Sequence, residues 1–544
     1  MSNEAMNATE ITMVEPQKAA GRIRITDKVG EDFKKWNDGM RIIFDAGTNS
    51  GKTYFILNVL LPWAYEHHKT ILCLCNRIPL RDQYRRDIES LGRVEEPVLR
   101  WNHDLREFVP EVQVKNEYEK TIRVESYQWL ETFFNGNRRG AAEYLKSFGY
   151  VVADEYHYEL TDPTINENID ISYRVLNALT KRVPVIFMSA TASTFFNHWK
   201  DTGEVEEANY YHIPPDYSYV SKVKFFWTDD EEIAVIRQEA RRGKVLVFVD
   251  SIDHMRKLKE ALQDEFPDDI ATACSSYREE ARDFDGLEAV IQGEKLCKRI
   301  TIVTTVFYNG VNIKDPELKC IISRQWNPIV NAQILGRKRP LDAEDTCAVY
   351  FKEYGHDFIK AERERIRKYQ LQPAQQWKEG KKDPSIWDEY VHKSGTVELL
   401  DNRCKTVHRD RYGSGWVWHR RAELQYLCQM DALKRMMNDG YQRGLLKEIS
   451  ESLLDRIKPL CFQELEDYIE EHLGEKMRSE VMRDAIVKIG HIDNPNNRHK
   501  NKKPPTLRTI NLYLKRYHVM IVSKQERISA TERAMFWTLH RIES

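Results

Sequence analysis

The chain has 544 residues, too many for one hydrophobic core and enough for roughly three or four domains. Apolar residues make up 41% and charged residues 31%, which excludes a disordered or fibrous chain. The net charge of −2 exerts no global pull on nucleic acid, so any basic site must be local.

Residues 1–25 read as a flexible lead-in, without the basic and apolar regions of a secretory signal. Strand-like and helix-like segments then alternate. "RIIFD" predicts a strand, and Lys52 to Glu66 a helix. "TILCLCN" predicts a strand, Leu80 to Ser90 a helix, "YVVAD" (150–154) a strand, 171–180 a helix and "VIFMS" (185–189) a strand. The pattern restarts near Val223 with strands at 244–250, 300–305, 320–323 and 347–351. This alternation predicts two consecutive α/β units with parallel sheets, 26–215 and 216–365. Beyond residue 366 helix-like pieces dominate, which predicts a mainly helical accessory region, 366–544, with possible nucleic-acid contacts. No eighteen apolar residues run together, and nine cysteines occur without a CxxC pair. The expectation is a cytoplasmic protein with reduced thiols and no membrane partner.

"FDAGTNSGKTYF" (44–55) carries the spacing of a phosphate loop between a strand and a helix. Gly47 and Gly51 let the backbone amides of Gly47, Thr48, Asn49, Ser50 and Gly51 turn inward on phosphates, and the helix N-terminus adds partial positive charge. Lys52 would reach the β and γ phosphates of ATP, and the Thr53 hydroxyl would ligate Mg²⁺. "YVVADEYH" supplies the partner carboxylates at a strand end: Asp154 for Mg²⁺ and Glu155 as general base.

"DEYH" followed by "MSATAS" (188–193) resembles motifs II and III of the DExH-box members of superfamily 2 helicases. "NRIPLRDQ" (76–83), "RVESYQWL" (123–130), "VFVDSI" (247–252), "TTVFYNGVNI" (304–313) and "QILGRKRP" (333–340) are similar to motifs Ia, Ib, IV, V and VI, in that order. The resemblance covers about residues 40–350. It implies two tandem RecA-like domains, with ATP in the cleft between them and single-stranded nucleic acid across their top. It further implies that Gly51, Lys52, Thr53, Asp154 and Glu155 bind or hydrolyse nucleotide, and that Ser189 and Thr191 couple ATP state to grip. Gly310 and Asn312 would reach the nucleotide from the second domain, while Gln333, Arg337 and Arg339 face the γ-phosphate. Arg77, Ser126, Tyr127, Ser251 and Thr304 fall where that family touches the strand backbone, and His157 lies between its motifs. Motif VI is one residue shorter than the common spacing from its Gln to its last Arg, so Arg337 and Arg339 are both candidates for the arginine finger. No upstream glutamine motif is present. Phe33 and Trp36 are candidates to stack on the base, but core packing is the better account of each.

Farther on, "HRDRYGSGWVWHRRAE" (408–423) interleaves cations with Tyr412, Trp416 and Trp418. It reads either as a stacking platform for bases or as a Trp-rich core corner. The Lys/Arg run at 498–516 reads as a phosphate-facing patch. The expected function is therefore an ATP-dependent helicase or translocase acting on single-stranded nucleic acid, DNA ahead of RNA. Alternatives are a nucleic-acid-stimulated ATPase without strand separation, and a phosphate-loop ATPase remodelling a protein partner.

Overall fold

The computed structural model describes residues 23–102, 107–163, 166, 168–274, 284–304, 307, 311–380, 404–409, 416–492, 504–528 and 533–542. The first part holds β1 (Arg41–Ala46), β2 (Ile71–Cys75), β3 (Arg93–Asn102), β4 (Glu107–Asn116), β5 (Ile122–Ser126), β6 (Tyr150–Ala153), β7 (Val185–Ser189) and β8 (Tyr210–Ile213). Six of them form one sheet in the order β5-β2-β6-β7-β1-β8, every pair parallel. Strands β1, β2, β6 and β7 are buried along their whole length. Helices cover both faces, so these strands read as unbroken apolar runs rather than alternating ones. β3 and β4 pair with each other as a separate antiparallel hairpin inserted between β2 and β5.

A second set follows: β9 (Val220–Phe226), β10 (Lys244–Phe248), β11 (Ile270–Ala273), β12 (Ile291–Gln292), β13 (Lys295–Leu296), β14 (Ile300–Val303), β15 (Leu318–Ser323) and β16 (Cys347–Lys352). Its main sheet runs β11-β14-β10-β15-β16-β9, again parallel throughout, while β12 and β13 form a small antiparallel pair. The chain is thus two tandem RecA-like parallel-sheet domains followed by a mainly helical region.

That last region divides in two. The helix Arg420–Asp439 lies across both sheet domains. Leu433 and Met436 are buried in the core of the second, with Ile359 and Ile366, and the next helix, Tyr441–Ile449, adds Leu445 and Leu446. Toward the first domain, Gln425 donates to the Thr161 carbonyl at 3.2 Å, and the Arg421 guanidinium lies 3.3 Å from the Tyr173 ring centroid. The remainder folds around its own core, with β19 (Lys476–Arg478), β20 (Val519–Arg527) and β21 (Arg533–Arg541); just ahead of the helix Arg420–Asp439, β17 and β18 pair antiparallel, Val407–Arg409 with Trp416–Trp418.

A cut near residue 391 therefore removes part of the second domain's core rather than a separable appendage. Leu433→Ala should cost about 2–5 kcal/mol through loss of buried methyl groups and the cavity left behind. A lowered denaturation midpoint checks this; an unchanged one would show the helix merely rests on the domain. Among the described residues no helix is long and apolar enough to cross a membrane, and all nine cysteines are free.

Candidate nucleotide and nucleic-acid site

Parallel sheets present ligands at the carboxyl ends of their strands, where helix N-termini and exposed loops converge. β6, β7 and β1 are neighbours in the first sheet, so the segments that follow them share one edge. After β1 the chain turns through Gly47–Gly51, with Asn49 and Gly51 in left-handed backbone at φ 62° and 83°. Gly47 has no room for a side chain, since a Cβ there would collide with the Pro215 backbone. The loop then enters the helical run Lys52–Glu66, which contains one π turn at Ile56–Leu60.

The Lys52 ammonium donates to the carbonyls of Ala46 at 2.6 Å and Gly47 at 3.0 Å. Burial lowers its pKa, opposed by the charges of Glu155 and Asp154, so its positive charge is held under desolvation strain. Ser50 Oγ is buried and has no partner among the described residues. It is an unspent polar atom inside the loop, which suits a phosphate-binding turn.

Beyond β6, Asp154 accepts from the Glu155 amide at 2.8 Å and from the Tyr84 hydroxyl at 2.7 Å. Burial is the main reason its carboxyl pKa is raised, with the Glu155 charge adding to it. Glu155 adopts φ 50°, left-handed backbone that costs a non-glycine residue about 1–3 kcal/mol. Burial opposes its charge, yet His157, Lys52 and Arg337 together hold its pKa below the ordinary carboxylate range. His157 is buried, with Nδ1 at 3.2 Å from Glu155 Oε2 and 3.3 Å from Ser189 Oγ.

The second domain closes over this edge. From the helix Pro328–Leu335, Gln333 donates to Thr191 Oγ1 at 2.7 Å and lies 3.4 Å from His157 Nδ1. Gly336 abuts the Thr48 side chain so closely that a Cβ would overlap it. Thr191 in turn donates its amide to Ser189 Oγ at 3.1 Å. One chain of hydrogen bonds therefore links the segments after β6 and β7 to the second domain. Gln333, expected to face the γ-phosphate, is fully buried in this joint.

Arg337 lies beyond the end of this helix. The helix ends at Leu335, and Arg337 folds back to donate to the Gln333 carbonyl at 3.1 Å, Gln333 Oε1 at 3.2 Å and the Val311 carbonyl at 3.2 Å. Arg339 donates to Asn312 Oδ1 at 3.0 Å, and its charge contributes to lowering the Lys52 pKa. Gly310 lies outside the described residues, as does Tyr412.

Of the positions expected on the nucleic-acid strand, Arg77 follows β2 and Ser126 ends the adjacent β5, and Ser251 and Thr304 follow adjacent strands β10 and β14. All four occupy the carboxyl edges of the sheets. Arg77 is paired with the nearly buried Asp162 at 2.6 Å. Ser126 and Ser251 cap helices, accepting the amides of Trp129 and His254. Tyr127 needs correction. It is fully buried, stacked on Tyr158 at 4.8 Å with its hydroxyl on the Asp154 carbonyl, so it has no surface to offer a strand. Phe33 and Trp36 pack with Phe44 and Phe55 in the core. Trp418 donates to Glu423 beside the cations of Lys378 and Arg420, which gives it a structural task. Within the basic run, Arg516 is spent on the buried Glu231 at 2.9 Å.

Tyr84 carries no motif and is not legible as a site residue from the sequence. It sits in the helix Ile78–Leu91, and its hydroxyl donates to Asp154 at 2.7 Å, with the Thr53 side chain near enough to influence it; these are the two expected Mg²⁺ ligands. Partners of this kind orient metal ligands and are worth about 10–100-fold in affinity. Tyr84→Phe should therefore raise the Mg²⁺ concentration needed for half-maximal ATPase by roughly that factor, with turnover at saturating Mg²⁺ largely kept. A Mg²⁺ titration that matches the parent's would show that the hydroxyl only fills space.

Residues 10–194 match the family model described as type III restriction enzyme, res subunit. The match falls on the first sheet domain and covers about a third of the chain. No curated protein matches the chain in sequence. Among solved structures, Saccharomyces cerevisiae Dbp5 bound to RNA and ADP BeF3 is 15% identical, with a TM-score of 0.42, over 59% of this chain and 81% of that one. The Escherichia coli DEAH/RHA helicase HrpB is 14% identical, with a TM-score of 0.40, over 61% of this chain and 43% of that one. Likeness at this distance bears no weight here; the fold rests on the two sheets.

Proposed function

We propose that the chain is an ATP-driven superfamily 2 motor of the DExH type that moves on single-stranded nucleic acid, DNA in preference to RNA. The observation that carries this reading is the joint itself. The phosphate loop and the two carboxylates of one domain meet the motif VI segment of the other through Gln333–Thr191 and the contact of Gly336 with Thr48. A simple phosphate-loop ATPase acting on proteins or small molecules has no need of that second contribution.

ATP is the substrate. The loop amides and Lys52 bind its phosphates, and Arg337 and Arg339 add charge from the second domain. Asp154 and Thr53, oriented by Tyr84, would hold Mg²⁺, which neutralises charge on the phosphates when bound. The unpartnered Ser50 oxygen and the convergence of Asp154, Thr53 and Tyr84 fit that assignment. Glu155, kept charged by His157, Lys52 and Arg337, accepts a proton from the attacking water. Because the same His157 nitrogen lies within 3.3 Å of Ser189 Oγ and 3.4 Å of Gln333 Nε2, loss of charge balance at Glu155 is felt at the domain joint. Grip on the strand then falls to Arg77, Ser126, Ser251 and Thr304, whose contacts to phosphate and sugar read no sequence.

The preference for DNA draws its support from the res-subunit match, whose description names a restriction enzyme. ATPase rates with single- and double-stranded DNA and RNA test the proposal. Stimulation is expected to be greatest with single-stranded DNA. A rate indifferent to every nucleic acid would overturn it in favour of the protein-remodelling alternative.

A further inference from the structure

Charge is distributed unevenly along this chain. Residues 493–544 hold eleven Lys and Arg against four Asp and Glu, although the whole chain is at −2. Within the same folding unit, residues 463–489 hold eight acidic side chains against four basic ones. Charge is thus uneven along the unit's sequence, and the ion pairs Arg541–Glu470 and Lys476–Glu526 join the two stretches among its elements. In order they are helix Gln463–Glu471, β19, helix Ser479–Ile489, helix Leu507–Leu514, β20 and β21, with the strands arranged β19-β21-β20. The basic half consists of the third helix and the long β20–β21 hairpin.

The third helix is well anchored. Ile510, Tyr513 and Leu514 face a core shared with Met482, Ile486, Val519 and Trp537. Asn511 clamps the helix to β20, accepting the Ile521 amide at 2.6 Å and donating to its carbonyl at 3.0 Å. Its other face carries Arg508 and Leu512, with Lys515 just beyond its end, all exposed; Leu512 is 68% exposed. Leu512 thus stands between two exposed cations on one face of an anchored helix. At the far end of the hairpin Arg527 pairs directly opposite Arg533, both exposed.

We infer that this unit is a second nucleic-acid site, built for duplex DNA: helix Leu507–Leu514 enters the major groove and the β20–β21 hairpin lies along the neighbouring phosphates. An α-helix fits the major groove of B-form DNA. The deep, narrow major groove of A-form RNA does not admit it, which selects DNA. Leu512, at the centre of the outward face, suits the thymine methyl group, and Arg508 and Lys515 suit the flanking phosphates or base edges. The unit is fixed to the second sheet domain through Arg516–Glu231 and through Thr228, whose hydroxyl donates to the His491 carbonyl at 3.2 Å. Next to Thr228, Asp229 binds Arg324 at 2.9 Å, and Arg324 reaches Asp250, the neighbour of Ser251. Duplex held on the unit is therefore tied mechanically to the edge assigned to the single strand. The site does not depend on ATP or on the hydrolysis assignment.

Equilibrium binding of the full chain without nucleotide tests this, using a blunt DNA duplex, a duplex RNA of the same length and a single DNA strand across a range of salt. The parent should bind duplex DNA more tightly than duplex RNA. The double variant Arg508→Ala, Lys515→Ala should bind duplex DNA about tenfold or more weakly, and its log–log salt slope should be shallower by about 2, one unit for each cation withdrawn from a phosphate. Its single-strand affinity and thermal midpoint should stay unchanged, since both side chains are exposed. Equal affinity for the two duplexes, a variant that binds duplex DNA like the parent, or a matching loss on the single strand would overturn the inference.

Discussion

Glu155→Gln should lower ATP turnover by about 10²–10⁴-fold, the range in which a positioned general base contributes. Nucleotide binding should persist, because Lys52, Thr53 and the loop amides are untouched. The glutamine keeps the side-chain volume and inherits the same left-handed backbone, held by the Asp154 carboxylate on its amide. Only the charge that His157, Lys52 and Arg337 were sustaining disappears. With ATP bound and not discharged, the domains stay closed, and the strand should be held more tightly than by the parent. Lys52→Ala provides the contrast: it should lose nucleotide affinity itself, since the point charge on the phosphates is gone. Single-turnover rates with labelled ATP, next to strand affinity for each variant, check both. Normal hydrolysis by Glu155→Gln would mean that the base lies elsewhere.

Arg337→Ala should lower turnover by about 10³-fold at saturating ATP and nucleic acid, and Arg339→Ala by less. Both arginines follow the helix rather than belonging to it. Their backbone runs beside Ile313, whose amide donates to the Arg337 carbonyl at 2.9 Å and whose carbonyl accepts the Arg339 amide at 2.8 Å. This pairing fixes the backbone from which each side chain leaves. Arg337 carries two tasks at once: its charge acts on Glu155, and its three hydrogen bonds hold Gln333 and the Val311 carbonyl. Removing it loosens the amide that joins Thr191 to the second domain. Arg339 has a simpler position, on Asn312 and within the field of Lys52. The two alanine variants, compared by ATPase rate, decide the order. A dead Arg339→Ala beside a working Arg337→Ala would move the γ-phosphate contact to Arg339 and leave Arg337 to the joint.

The two-sheet half of this chain was legible from residue order for a definite reason. Its strands are buried on both faces, so β1, β2, β6 and β7 appear as apolar runs that no exposed element imitates. The phosphate loop is equally local. The left-handed turns at Asn49 and Gly51, the helix start at Lys52 and the carboxylates directly after β6 all lie within a few residues of one strand end. What depends on packing between distant segments stayed hidden. Tyr84 is one aromatic residue in a charged helix until that helix lies against β6 and brings its hydroxyl to Asp154. Tyr127 carries the spacing of a strand contact, but the stacking of Tyr158 encloses it. The helix Arg420–Asp439 has an amphipathic pattern that says it covers something, without saying that it completes one domain's core while touching the other. The strands β20 and β21 alternate buried and exposed positions only in part, and the exposed ones include Met520, Val522 and Met535. Period two is blurred there, and a pairing between residues in antiparallel register exists only once the third helix has been set against them. Local chemistry is written into contiguous residues. Which distant side chains share a core, a cleft or an outward face is decided by burial, and burial is a property of the folded chain.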